Sequence, residues 1–184
     1  MNKLITLALA AMALLFTPLT RADDVSEALK RFQAAEATAP FFANAYGYAI
    51  FPKVGKGGMG IGGAYGKGKV YRGGELTGTT KLAQVSFGLQ LGGQAYSQII
   101  FFQNADAYEE FTSGNFEFGA QASAVALTAG ASAEAGSKGT SAGAGESQAE
   151  NSYSGGMAVF TMAIGGLMYE AAINGQSFSF KPIN

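Results

Sequence analysis

Apolar positions follow two different periods along this chain, and the change falls near residue 48. Val25, Leu29, Phe32 and Ala35 recur at helical spacing, with Lys30, Arg31 and Gln33 off that stripe. Asp24 followed three residues on by Glu27 forms a capping box. Together they predict a short amphipathic helix from Val25 to about Ala37. Pro40 ends or restarts it, and Phe41 to Tyr46 adds a further turn before Gly47.

From Tyr48 onward the period is two. Tyr48 to Phe51 is a short apolar run closed by Pro52, and Gly57 to Gly66 reads as a glycine-rich strand. Lys67-Gly68 and Gly73-Gly74 are turn signals on either side of an alternating Lys69 to Arg72. Residues 82–92 alternate cleanly. Ala83, Val85, Phe87, Leu89 and Leu91 form an apolar face, opposite Gln84, Ser86, Gly88, Gln90 and Gly92. Ala95 to Gln103 is the next strand. Asn104 caps a helix over Ala105 to Ser113, stopped by Gly114. Phe116 to Ala131 alternates again, and residues 136–147 are a low-complexity loop. Met157 to Ile164 and Leu167 to Ile173 are strands, and Asn174-Gly175 turns the latter back into Gln176 to Lys181. The fold class expected is mainly β: a curled antiparallel sheet, barrel- or sandwich-like, with two or three short α-helices.

The first residues change the picture of where this fold resides. Lys3, the apolar run Leu4 to Leu19 and the small residues around Ala22 have the layout of a secretory leader, cut after Ala22. We expect residues 1–22 to be a cleaved signal peptide and 23–184 to be one domain, exported to the periplasm or cell envelope. Lys3 and Arg21 fall in the leader, leaving ten basic side chains against thirteen acidic ones in the domain. That balance argues against broad nucleic-acid binding. The chain has neither histidine nor cysteine. Ser-His-Asp triads, cysteine nucleophiles, disulfides and His/Cys zinc sites are therefore excluded. Glu109-Glu110 reads as a solvated helix face, and Glu117 and Glu170 have no spacing that pairs them as acid and base. No enzyme activity, cofactor or metal is expected.

Gly58-Met59-Gly60-Ile61-Gly62-Gly63 fits the dinucleotide pattern G-x-G-x-x-G, but that pattern works between a strand and a helix. Here strands follow, so no nucleotide is expected. The basic residues are more informative. Lys53, Lys56, Lys67, Lys69 and Arg72 lie within twenty residues that contain no acid. On one hairpin rim they suit anionic phosphate. An ordinary solvated hairpin with lysines guarding an edge strand accounts for them equally well. The helix likewise has two readings: Val25, Leu29 and Phe32 insert shallowly into a membrane, or they pack on the sheet.

Several long blocks resemble the SYLF lipid-binding family. They are Ala49-Ile50-Phe51-Pro52-Lys53-Val54-Gly55 with Gly58 to Gly66, Gly88 to Tyr96, and Ile99-Ile100-Phe101-Phe102. Phe116-Glu117-Phe118-Gly119-Ala120 and Gly165 to Ala171 continue the match in order. The resemblance implies a domain that binds acidic phospholipid, phosphoinositides in eukaryotic members, through basic residues and an N-terminal amphipathic helix. It points to Lys53, Lys56, Lys67, Lys69 and Arg72 for headgroups and to Val25, Leu29 and Phe32 for insertion. In a bacterial envelope, where a phosphoinositide is not the obvious ligand, phosphatidylglycerol, cardiolipin or lipid A phosphates are the expected partners. Two rivals are an integral outer-membrane barrel and an envelope scaffold that binds other proteins.

Overall fold

A computed structural model of the protein describes residues 21–88, 94–120, 122, 124–127, 153–165 and 173–184. Nearly all of the expected leader, the loop at 136–147 and the strand expected at Leu167 to Ile173 lie outside them. Three helices are described: α1 (Arg21–Ala34), α2 (Ala39–Asn44) and α3 (Ala105–Thr112). The strands are β1 (Gly47–Arg72), β2 (Glu75–Gly88), β3 (Gln94–Phe102), β4 (Phe116–Glu117), β5 (Val125–Leu127), β6 (Met157–Ala163) and β7 (Gln176–Pro182). They form one curled sheet in the order β4-β7-β2-β1-β3-β6-β5. All pairings are antiparallel except β5 with β6, which is parallel. The fold is mainly β, as the periodicity predicts.

Helix α1 starts earlier than expected, which places Asp24 inside its first turns rather than at the cap. It stops because the buried Thr38 hydroxyl donates to the carbonyls of Phe32 and Ala35. Pro40 then sits in the first turn of α2, where its missing N–H costs nothing. In α3 the expected cap is present: Asn104 Oδ1 accepts from the Ala107 N–H at 3.0 Å, and Gly114 follows the helix with φ +94°.

Strand β1 corrects one expectation. Lys67-Gly68 is not a turn but continuous strand within its 26 residues. The reversal comes earlier. Gly47 lies against Tyr71, Gly68 against the Ile50 carbonyl and Gly66 against that of Lys53. Residues 47–56 and 60–72 therefore run side by side, the first arm paired to β3 and the second to β2. Gly73 and Gly74, both at positive φ, make the turn into β2.

The sheet buries two layers. On one face Phe51, Val54, Val70, Leu82, Ile100, Phe102, Val159 and Phe178 pack with Phe111 of α3. On the other Ile50, Ile99, Phe101, Phe160 and Met162 pack under Val25, Ala28 and Phe32 of α1 and Phe41 of α2. The α1 stripe is thus docked on the sheet.

The alternation at 82–92 is real but, as far as it is described, points the other way. Leu82 and Gln84 face inward, while Ala83 and Val85 are exposed, Val85 at 68%. The cause is the polar interior at this end. Gln84 Nε2 donates to the Asn174 carbonyl at 2.9 Å, and beside it Gln98 and Gln176 pair their amides at 2.9 and 3.2 Å. Gln176 also donates to the Tyr96 hydroxyl. Burial pushes Tyr96 up to about 12.

Candidate functional site

The second arm of β1, with β2 and β7, leaves its α1-side face largely uncovered. Cross-strand register orders that face in rows. Lys69 lies opposite Thr79, which lies opposite Lys181. Lys67 lies opposite Lys81, beside Ser179. Tyr65 lies opposite Ala83, beside Ser177, and Gly63 lies opposite Val85. Strand alternation puts Gly66, Gly68 and Val70 on the buried side and sends the lysines out.

A further lysine arrives from the first arm. The register with β3 slips between Phe51 and Val54, where Pro52 cannot donate to a ladder. The freed Pro52 carbonyl accepts from Ser97 Oγ at 2.7 Å, and Ser97 Oγ accepts from Arg31 of α1 at 2.8 Å. This chain of bonds ties α1 to the bulge and leaves Lys53 exposed beside it.

The result is an open groove of about 660 Å³ between the start of α1 and the β1–β2 face, lined by Lys53, Lys67, Lys69 and Lys81. Thr79 lies among them, and Asp24 is the one acid among the described residues of the lining. Lys67 and Lys81 stand directly opposite each other, an arrangement that costs stability unless an anion lies between them. Among the described residues none of the four is seen in an ion pair. Nor is any cluster suited to holding a metal found among those residues.

Three of the five basic residues singled out from the sequence thus converge: Lys53, Lys67 and Lys69. Lys56 lies further along the same arm, half-buried and outside the groove lining. Arg72 is at the other end of the strand, its guanidinium 5.4 Å over the Tyr108 ring and its backbone opposite Glu75. Of the helix residues, Val25 and Phe32 are buried and Leu29 is partly buried against the sheet. Sequence reasoning missed Lys81. The two-residue Gly73-Gly74 turn by itself would pair Lys67 with Thr80; the bulge between Val70 and Tyr71 shifts the register by one residue and brings Lys81 opposite Lys67 instead.

A family model described as "Ysc84: Las17-binding protein actin regulator" matches residues 83–181. The chain belongs to the Ysc84 family. This is the family that the sequence resembles under the name SYLF. No curated protein matches the chain. The Ysc84 match spans the end of β2 through β7, including the Gln98–Gln176–Tyr96 network and α3. It stops short of Lys53, Lys67, Lys69 and Lys81. The groove lining, Asp24 to Lys81, therefore precedes the matched segment. No described helix is long and apolar enough to cross a membrane.

Proposed function

We propose that this Ysc84-family protein is an exported, non-enzymatic protein that binds anionic phospholipid at a membrane surface, with headgroup phosphates held in the lysine groove. The observation that carries this reading is the convergence of Lys53, Lys67, Lys69 and Lys81 around one groove. Export rests on the leader and the absence of catalytic chemistry on the residue inventory.

The magnitudes favour capture followed by a second contact. Four cations near an anionic membrane contribute about 4 kcal/mol at most, which is millimolar binding. Lifting α1 to insert Val25 and Phe32 forfeits about 1.5–3 kcal/mol per side chain, as much as insertion returns. In this proposal the helix stays docked. An integral barrel is disfavoured because both faces of the sheet carry helix-covered apolar cores, one under α1 and α2 and the other against α3.

The test is vesicle co-sedimentation with and without anionic lipid. We expect binding only to anionic vesicles, lost in the K67E/K81E variant. Equal sedimentation with neutral vesicles, or no effect of charge reversal, rejects the proposal. Capture of an acidic envelope protein in place of lipid would support the scaffold reading, which the family description favours through its protein partner.

A further inference from the structure

We infer that Tyr65 and Val85 form the edge that enters the membrane interface once the lysines are seated on headgroups; this rests on the lipid reading above. Strand β2 reverses the usual partition: Gln84 is 8% exposed and its neighbour Val85 is 68% exposed. A slip of one residue would bury Val85 and expose Gln84. In the observed register Gln84 is buried and bonded to the Asn174 carbonyl, and Val85 is left in solvent. Tyr65, half exposed, stands one row from Val85 with Ala83 opposite.

Single exposed apolar residues are ordinary, but the placement of these is not. The rows run Lys69–Thr79, Lys67–Lys81, Tyr65–Ala83, Gly63–Val85. At about 3.3 Å per residue, the apolar end lies roughly 13 Å beyond the Lys67–Lys81 pair. That is a gradient from cation through tyrosine to aliphatic, the order in which a bilayer presents phosphate, interface and acyl chain. The occupant is an anionic phospholipid bilayer, selected by the adjoining positive charge.

The chain contains no tryptophan, so Val85→Trp in the full-length protein is a clean reporter. With anionic vesicles its emission should shift to the blue and be quenched by lipids brominated on the acyl chains. A Ser179→Trp control on the same face should show neither. The Y65S/V85S variant, shown folded by circular dichroism, should bind the vesicles roughly tenfold more weakly or worse. If V85W stays unshifted and unquenched while the protein still sediments with anionic vesicles, the edge is refuted and the groove reading stands. If the unmodified protein does not sediment with them, both fall.

Discussion

Replacing Lys81 by glutamine should make the protein more stable and a poorer ligand for anionic surfaces. Lys81 faces Lys67 across the β1–β2 ladder. With the ammonium groups about 7 Å apart in water, their repulsion is roughly 0.6 kcal/mol, and the more distant Lys53 and Lys69 raise it toward about 1 kcal/mol. For a domain of this size that corresponds to a melting temperature about 2 °C higher in K81Q at low ionic strength. In about 1 M salt the screening length falls to about 3 Å and the gain should vanish. Loss of one cation should weaken anionic-vesicle binding about fivefold. Paired thermal melts at low and high salt, alongside a vesicle titration, read both effects. A K81Q protein that melts below its parent at low salt, or keeps its gain undiminished at high salt, refutes the like-charge reasoning.

Gly68→Ala should cost about 1–3 kcal/mol in urea denaturation, because the new methyl would stand 2.7 Å from both the Ile50 carbonyl oxygen and the Phe51 ring. Gln176→Leu should cost a similar amount by leaving Gln98 and Tyr96 without their partner. The Q98L/Q176L double variant should cost less than the sum of the single changes, as a double-mutant cycle would show. Stability should fall as pH rises from about 10 to about 12. Tyr96 and Tyr153 have pKa values raised by burial from 10.0 to about 12, so the unfolded chain releases their protons first. Their contribution is complete below pH 10, and Tyr96→Phe should flatten the alkaline decline by about 2 kcal/mol.

Local periodicity by itself determined the α1 stripe, the Asn104 cap, the Gly73-Gly74 turn and a mainly β curled sheet. Each depends on residues close in the chain, where spacing and turn chemistry decide the outcome. Composition alone removed histidine and cysteine chemistry. What needed the tertiary structure was the choice between equivalent local patterns. A two-residue period cannot say which face is inside, and the buried Gln84, Gln98 and Gln176 amides decided it through partners distant in sequence. Nor does a run of glycines and lysines say where the chain turns back. Contacts of Gly47, Gly66 and Gly68 with the opposite arm of β1 fixed that, and with it the meeting of Lys53, Lys67 and Lys81. The same long-range packing sent Arg72 to Tyr108 and docked Val25 and Phe32 on the sheet, because charge and hydrophobicity in a sequence carry no address until strands are paired.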